Sequence, residues 1–333
     1  MFPATKIRMT RDHYIAQTYL KHFGDPTIGG MLHACRESSG KTFRCWPRNV
    51  CREWDGDRNR RYLAHPELLG EFRALFEPNW NPAVADLLQG NITAQVKFVV
   101  AGYMANLMTC TPAWRRVCKK ILLDQMRTDA VFAMDMHKKY GCLPDLPVDA
   151  IEAVERGEIF LDLDSDYIKA VVTRQLLQNT WINYNQEWSI IHNDTGTAYL
   201  TSDNPVAIFY SSRIGDPVTR LLPITPHLCL SILFSQDTPE LNLKNPEDDL
   251  RKRPLGTISR READDESVTF VNELVVKCAE DLVFSSTDSP SSRNLVQRFS
   301  GFRIDAEHKI LSEGSDSVIH GSIVCVREMC VDA

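Results

Sequence analysis

The hydrophobic pattern changes its period near Gln186, and this change limits the folds that the chain can adopt. Upstream, apolar residues recur at helical spacing in the stretches that begin at Thr93, Pro112 and Ser165. Downstream, short apolar runs such as residues 228–234 are typical of interior strands. Since helices and strands occupy separate regions, we predict an α+β fold. A helical middle region packs on a mixed or antiparallel β-rich C-terminal part, preceded by a short N-terminal helix and hairpin.

The length of 333 residues allows one large domain or two lobes. We predict a single large α+β domain over residues 1–333. Its sub-lobes are an N-terminal helix and hairpin at 1–62, a helical lobe at 63–185 and a β-rich lobe at 186–333. Within the last of these, residues 236–267 are charged and contain proline, which predicts a mobile excursion.

Two local patterns give finer predictions. Residues 66–88 contain helical pieces that Pro78 and Pro82 are expected to interrupt, because proline removes a helical hydrogen bond. After the change of period, residues 188–201 alternate as a β-hairpin around the turn-rich tip at 193–196. The chain is also expected to end in a closing hairpin.

The charge balance limits the partners of the chain. It has 38 Lys and Arg against 44 Asp and Glu, a net charge of −6, so binding to nucleic acid would need a local basic patch. The N-terminus lacks the apolar segment of a secretory signal, and the most apolar stretch, residues 96–110, is too short to span a bilayer. We therefore expect a cytoplasmic protein without membrane contact, and the sequence leaves its oligomeric state open.

The cysteines indicate mostly buried, reduced thiols. The chain has 10 cysteines and no C-x-x-C pair. Four residues close in sequence offer a zinc-ligand set: His33, Cys35, Cys45 and Cys51. Their spacing is not that of a common zinc finger or ribbon, so half-buried positions in a hairpin are the favoured alternative.

Common catalytic signatures are missing from the sequence. There is no P-loop, no dinucleotide-binding glycine motif after a strand, no nucleophile elbow and no H-E-x-x-H. These absences argue against P-loop nucleotide hydrolysis, dinucleotide redox chemistry and zincin-type proteolysis. Three short polar strings remain as candidates for a site.

The first string contains His13 and Gln17. Residues 13–23 have helical spacing, which would place these two side chains on one face. A histidine there suits acid–base work near neutral pH, and the amide would orient it or a substrate. The alternative is a histidine that hydrogen-bonds a neighbour at the start of a helix.

The second string contains Glu77, which lies among Leu75, Phe76 and Trp80. A carboxylate in apolar surroundings must be paired or have a raised pKa, and a raised pKa suits acid–base catalysis. The alternatives are a salt bridge to an arginine of the segment 58–61, or simple exposure.

The third string contains Ser202, Asp203 and Asn204 ahead of Pro205. It follows a predicted strand, and polar side chains at strand ends often project into a cleft. An ordinary turn before proline is the alternative reading.

Taken in order along the chain, these strings resemble those of the "domain of unknown function 4238" family of uncharacterised proteins. The resemblance spreads over residues 13–286. The matching strings are His13-Tyr14-Ile15-x-Gln17-x-Tyr19-Leu20, Phe76-Glu77, Thr111-Pro112, Trp188, Thr201-Ser202-Asp203-Asn204-Pro205, Leu222-Pro223-x-Thr225-Pro226, and Val271-Asn272 ahead of Val283-Phe284-Ser285. The resemblance implies that the polar residues of these strings converge, Asn272 among them.

The chain departs from the family pattern before Thr111. The family tends to carry a Gln and an Arg shortly before its Thr-Pro pair, where this chain has Leu107 and Cys110, with Asn106 as the nearest amide. If the family arginine binds an anionic group, the resemblance implies that this contact is lost here or supplied by another residue.

We expect an intracellular hydrolase that acts on a nucleotide or nucleic acid, of a defence or toxin-effector type. His13 and Glu77 would divide the acid and base roles, and Asp203 would position the substrate or bind a divalent metal ion. The candidate substrate-binding residues are Gln17, Asn106, Ser202, Asn204 and Asn272. The alternative is a non-catalytic binding or interaction module, in which the same residues form a buried structural network.

Overall fold

A computed structural model describes residues 10–141, 162–209, 218–234, 255–313 and 318–329, with single positions between 152 and 158. Its helices are α1 (Gln17–Leu20), α2 (Leu68–Gln89), α3 (Ala94–Cys110), α4 (Pro112–Tyr140), α5 (Ser165–Arg174), α6 (Leu176–Asn185), α7 (Asp265–Cys278) and α8 (Pro290–Phe299). Its strands are β1 (Arg11–His13), β2 (Leu32–Arg36), β3 (Thr42–Cys45), β4 (Arg52–Trp54), β5 (Glu187–His192), β6 (Thr201–Ser202), β7 (Ala207–Phe209), β8 (Thr219–Thr225), β9 (Leu228–Leu233), β10 (Ile258–Glu262), β11 (Leu282–Ser285), β12 (Phe302–Glu313) and β13 (Val318–Glu328).

Helix α3 is the centre of the helical region. The Thr93 hydroxyl accepts a hydrogen bond from the Val96 amide at 3.2 Å and caps its start. From residue 99 to its end every residue of α3 is buried, because α2 and α6 pack on it. Gly102 allows α2 to approach closely, since a Cβ at this position would overlap the ring of Phe76. Helix α3 therefore forms the core onto which the neighbouring helices and the sheets pack.

Two sheets form most of the β-rich region. The larger has the strand order β10-β5-β9-β8-β7, and only its β10–β5 pair is parallel. The smaller, with the order β3-β2-β11-β6, is antiparallel. The smaller sheet combines N-terminal strands with strands from beyond residue 200. Distant parts of the chain are thereby joined in one sheet, while β1 pairs with β4 in a separate two-stranded sheet.

The long hairpin of β12 and β13 covers α4 and α7. Ile304 and Ala306 are buried in one apolar cluster with residues of both helices. The Lys120 ammonium lies 2.7 Å from the Asp305 carboxylate, and the Arg116 guanidinium donates to the Ile304 carbonyl at 3.1 Å. This hairpin is thus part of the packed body of the protein.

The α+β class is confirmed, as are the helices that begin at or beside Thr93, Pro112 and Ser165, the strand near 228 and the closing hairpin. None of the helices in the described ranges is long and apolar enough to cross a membrane.

Four local predictions are wrong. The first is the helix at 13–23. His13 ends β1 and pairs with Arg52, the backbone at Ala16 is extended, and the helix begins only at Gln17. His13 and Gln17 therefore do not share a helix face. Strand pairing with a distant segment decides the conformation of His13, and local spacing does not contain that information.

The second concerns α2, which continues through Pro78 and Pro82. Both prolines are exposed, so the carbonyl groups that lose their helical donors face water. On the opposite side, Phe76 and Trp80 are buried against α3 and hold the helix together.

The third is the hairpin at 188–201. β5 pairs with β9 and β10, whereas β6 pairs with β11. The Asn193 side chain closes the expected turn by donating to the Thr197 carbonyl at 2.8 Å. The turn is therefore local, but the apolar interior strand β9 provides the partner of β5.

The fourth is the excursion at 236–267. Residues 236–254 lie outside the described residues, but 258–262 form β10 and α7 begins at Asp265. β10 is a charged edge strand, with Arg260 and Arg261 directed outward. Charged side chains are common on edge strands, which explains why this strand resembles a loop in sequence.

Candidate functional site

Arg73 is the centre of the polar site, and it is almost fully buried. Helix α2 carries it, and its guanidinium lies 2.7 Å from the Asp57 carboxylate and 3.6 Å from that of Glu77. Burial lowers the pKa of Arg73, but Cys110, Asp57 and Glu77 together raise it above its ordinary value. Arg73 is therefore a permanent cation between two acids.

His13 lies directly beside this cation. The Arg73 guanidinium donates to the His13 carbonyl at 2.6 Å, which ties β1 to α2. Burial lowers the pKa of the His13 ring, and the positive charges of Arg52 and Arg73 lower it further. The hydrogen bond that the ring donates to the Arg48 carbonyl raises the pKa and offsets part of this shift. Its Nε2 atom is buried and has no hydrogen-bond partner among the described residues. The ring is thus held neutral, with one nitrogen available to accept a proton.

The two carboxylates beside Arg73 are shifted in the opposite sense. Burial raises the pKa of Glu77, and the nearby Asp57 raises it further, while Arg73 lowers it. Burial likewise raises the pKa of Asp57. Both side chains keep some contact with solvent, with 30% and 25% exposed, respectively. Carboxyl groups whose pKa values are raised and an imidazole whose pKa is lowered therefore lie close to one cation.

The C-terminal end of α3 completes this part of the site. The Cys110 thiol contacts Arg73 and donates to the Asn106 side-chain oxygen at 3.1 Å. The Cys110 carbonyl accepts from Arg115 at 2.8 Å, and Arg115 also pairs with Glu53 at 2.7 Å. We refer to His13, Asp57, Arg73, Glu77 and Cys110 as the arginine cluster.

Several polar atoms in and around the arginine cluster are buried without a hydrogen-bond partner among the described residues. They are His13 Nε2, Asp57 Oδ1, Arg73 Nε, Asn106 Nδ2 and Arg115 Nε, of which Asp57 Oδ1 and Arg73 Nε take part in the ion pairs described above. Asn106 Nδ2 and Arg115 Nε are N–H donors outside those pairs. Since buried donors are nearly always satisfied in native proteins, this group indicates a place for an acceptor that the chain itself does not supply.

Asp203 holds a loop in place. One of its carboxylate oxygens accepts from the Glu280 amide at 2.8 Å, and the other accepts from the amides of Asp281 and Leu282 at 3.0 Å each. The Asp203 amide in turn donates to the Leu282 carbonyl at 2.8 Å. Burial raises the pKa of Asp203 to about 7. The three amide donors favour the charged form and therefore lower the pKa, but burial has the larger effect. The geometry is that of a structural clamp on the segment before β11.

Asn204 and Ser202 extend this clamp. The Asn204 side chain donates to the Cys278 carbonyl at 2.7 Å and accepts from the Thr111 hydroxyl at 3.0 Å. The Ser202 hydroxyl accepts from the Asn204 amide at 3.2 Å. We call Ser202, Asp203 and Asn204 the loop clamp. Its hydrogen bonds connect the end of α7 with the junction between α3 and α4.

Two candidates remain, Asn272 and Gln17. Asn272 accepts from the Leu200 amide at 2.7 Å and donates to the Ala198 carbonyl at 2.9 Å, so its side chain pairs with a backbone segment. Gln17 is half-buried at the start of α1. The substrate-binding roles of Gln17, Asn106, Ser202, Asn204 and Asn272 remain predictions.

The arginine cluster and the loop clamp are joined by neighbouring residues. Thr111, a partner of Asn204, follows Cys110 directly, and Tyr14 follows His13. Burial raises the pKa of Tyr14, and the nearby Asp203 carboxylate is among the further causes. Segments that are distant in sequence therefore meet here, but the acids have separate environments.

The described residues contain no group of three His, Cys, Asp or Glu side chains placed to hold a metal ion. Arg73 occupies the space between Asp57 and Glu77 that a divalent ion would need, so these residues do not fit a metal centre. The residues weighed as zinc ligands lie elsewhere: His33 is bonded to Asp25 at 2.8 Å, and Cys35 and Cys45 are buried in β2 and β3.

Sequence reasoning missed Arg73 and Asp57. Arg73 precedes Glu77 by four residues, a spacing that pairs side chains on a helix and that was available in the sequence. Asp57 lies in an irregular segment after β4, and only the fold brings it to α2.

A family model described as "Protein of unknown function (DUF4238)" matches residues 11–289. This range includes the arginine cluster and the loop clamp. No curated protein and no solved structure matches the chain.

Proposed function

The chain belongs to this family of unknown function, and from its geometry we propose that it is a hydrolase of phosphate esters, with a nucleotide or nucleic acid as substrate. The arginine cluster is the active site of this proposal, and His13 and Glu77 are its acid–base pair. The loop clamp is assigned a structural role.

One observation carries the proposal: an imidazole whose pKa is lowered and a carboxyl group whose pKa is raised lie close to the same buried guanidinium. Groups whose pKa values are shifted by burial and by a neighbouring charge are the usual candidates for proton exchange with a substrate. A purely structural ion pair would instead lower the pKa of its carboxylate. At Glu77, burial raises the pKa by more than the attraction of Arg73 lowers it.

The proposed reaction assigns one proton transfer to each group. His13 Nε2 accepts a proton from water, whose oxygen forms a new bond to phosphorus. The P–O bond to the leaving group breaks, and protonated Glu77 gives its proton to the leaving oxygen. Because the cluster does not fit a metal ion, we assign no step to one.

The character of the cluster supports an anionic substrate. The chain has a net charge of −6, but Arg73 and Arg115 place two guanidinium groups around Cys110. The buried N–H donors at Asn106 Nδ2 and Arg115 Nε, which have no hydrogen-bond partner among the described residues, suit the oxygens of a phosphate group. Arg73 also places a cation at the Cys110 position, where the family pattern has its arginine.

The test compares His13→Gln and Glu77→Gln with the unaltered chain on phosphomonoesters, phosphodiesters, nucleotides and single- and double-stranded nucleic acid. Each variant is expected to lose about 100-fold or more in kcat/KM, the usual contribution of a general acid or base. Matched controls are His65→Gln and Glu71→Gln, because both residues are exposed and Glu71 lies on the same helix. Unchanged activity in both cluster variants would contradict the proposal.

The loop clamp favours the second candidate, a non-catalytic binding or interaction module. Asp203, Asn204 and Asn272 have their side chains bonded largely to backbone groups, as a structural network requires. If the whole set is structural, the two cluster variants will lower the melting temperature as Asp203→Ala does. If the hydrolase proposal holds, the two cluster variants will have melting temperatures close to that of the unaltered chain, whereas Asp203→Ala will have a lower one.

A further inference from the structure

A cavity of about 200 Å³ lies between the smaller sheet and the start of α8. The residues that line it include His33, Arg44, Ser285, Asp288, Ser292 and Arg293. None of them belongs to the arginine cluster or the loop clamp. The cavity is smaller than the roughly 300–1,000 Å³ pockets of drug-sized ligands, so it suits a small molecule or one group of a larger molecule.

The floor of the cavity is a row of polar residues across three strands. The antiparallel register places Arg44 of β3 opposite His33 of β2, and His33 opposite Ser285 of β11. Directly opposed residues lie on the same face of a sheet, so the three side chains stand next to one another. Arg44 is exposed and has no ion-pair partner among the described residues. The floor therefore presents a cation that no carboxylate neutralises.

The His33 ring is held in a fixed orientation. Its Nε2 atom lies 2.8 Å from one oxygen of Asp25, whose other oxygen accepts from the Thr27 amide at 2.8 Å and from the Thr27 hydroxyl at 2.7 Å. These hydrogen bonds, that of His33 above all, lower the pKa of Asp25. An ionised carboxylate only accepts, so Nε2 of His33 carries the hydrogen and the second ring nitrogen is left for another partner.

The opposite wall comes from the first turn of α8. Arg293 lines the cavity and pairs with Asp288, which lines it as well. Ser289 precedes the helix, but its hydroxyl donates to Ser291 at 3.1 Å and does not cap the helix. Pro290 has no amide hydrogen and the Arg293 amide donates to the Ser289 carbonyl at 3.2 Å, so the free amides of the first turn are those of Ser291 and Ser292.

We propose that this cavity binds the phosphate group of a small phosphorylated molecule. Arg44 contacts its anionic oxygens from the sheet, and Arg293 with the amides of Ser291 and Ser292 contacts them from the other wall. The second ring nitrogen of His33 carries no hydrogen, so it accepts only from a protonated phosphate oxygen. Donors on opposing walls suit a tetrahedral oxyanion better than a planar carboxylate. Asp288 offsets part of the positive charge, and Arg44 keeps the lining net positive.

The test titrates the full chain with inorganic phosphate by calorimetry and repeats the titration with Arg44→Gln and Arg293→Gln. Each variant is expected to bind phosphate about 10-fold or more weakly, as the loss of one charge-assisted hydrogen bond implies. Lys41→Gln is the matched control, since it removes one exposed positive charge near β3 that does not line the cavity. It is expected to bind as the unaltered chain does.

Three outcomes would overturn the proposal: no saturable binding of phosphate at millimolar concentration, equal binding by the Arg44→Gln chain, or tighter binding of acetate than of phosphate. His13→Gln separates this site from the arginine cluster. If His13→Gln removes phosphate binding and Arg44→Gln does not, the phosphate binds at the cluster and the cavity proposal is wrong. If only the cavity variants weaken binding, the proposal stands whatever the hydrolase assay shows.

Discussion

The guanidinium of Arg73 donates to the main-chain carbonyl of His13 at 2.6 Å, so the cation that faces Glu77 also fixes the strand that carries the imidazole. The relative position of the proposed acid and base therefore depends on one buried side chain. This dependence makes Arg73 the most informative residue for stability measurements.

We predict that Arg73→Gln lowers the free energy of unfolding by about 3–5 kcal/mol, because it leaves Asp57 and Glu77 close together without their cation. The matched control is Arg58→Gln, whose partner Glu67 is half exposed and whose loss should leave the stability nearly unchanged, because surface ion pairs contribute little. Urea unfolding followed by circular dichroism measures both. Equal losses in the two variants would show that the Arg73 pairs contribute no more than a surface ion pair.

A second prediction concerns the loop clamp. Asp203→Ala should lower the free energy of unfolding by about 1–3 kcal/mol for each backbone amide left without an acceptor, up to the three that Asp203 binds. Water entering the space would reduce this loss. Asp194→Ala is the control, since Asp194 is exposed at a turn. Hydrogen exchange of the amides at 280–282 gives an independent measurement, and unchanged protection there would contradict the assignment.

A third prediction concerns the pH dependence of stability. Burial, together with the nearby acids Asp203, Asp281 and Glu280, raises the pKa of Glu37 to about 8, against the opposing charge of Arg303. The folded chain therefore holds the Glu37 proton more tightly than the unfolded chain, whose value is 4.5. Stability from this group is fully present below pH 4.5 and is lost as the pH rises toward 8.

Glu37→Gln should remove this loss, so the variant gains stability relative to the unaltered chain as the pH rises from 5 to 8. The measured quantity is the difference in melting temperature between the two chains at each pH, which cancels the opposite trend of His13. A difference that stays constant across this range would show that Glu37 does not titrate there.

A fourth prediction tests the contact between α2 and α3. In Gly102→Ala the new methyl group overlaps the buried Phe76 ring, and overpacking of this kind costs about 1–3 kcal/mol. The better helix propensity of alanine, about 1 kcal/mol, offsets part of this. We expect a net loss of stability for Gly102→Ala and little change for Gly196→Ala, where no atom lies within 4 Å of the added Cβ. Differential scanning calorimetry compares the two, and a stabilised Gly102→Ala would show that Phe76 moves freely.

The features that the sequence predicted are those with local causes. The cap at Thr93 and the proline at the start of α4 act within one helical turn, and both helices begin where expected. The run at β9 is apolar except for Ser231, as suits an interior strand. The local sequence pattern was therefore sufficient to predict the fold class and the boundaries of several helices and strands.

The features that the sequence could not predict depend on distant partners. His13 becomes part of a strand because Arg52 pairs with it, and β5 finds β9 some forty residues away. The burial of Arg73 depends on Asp57 and on the end of α3, which no short window contains. For the same reason, the separation of Asp203 from the acid–base pair could only be seen in three dimensions.

The long hairpin of β12 and β13 begins after residue 289, where the family match ends, yet Ile304 and Ala306 share an apolar cluster with α4 and α7. A protein expressed over the matched range alone would lack this hairpin. Helices α4 and α7 would then lose their apolar contacts with it, and Lys120 would lose its ion pair with Asp305. Recombinant forms of this protein should therefore include the hairpin. For homologues, the C-terminal boundary should be placed after the last apolar strand.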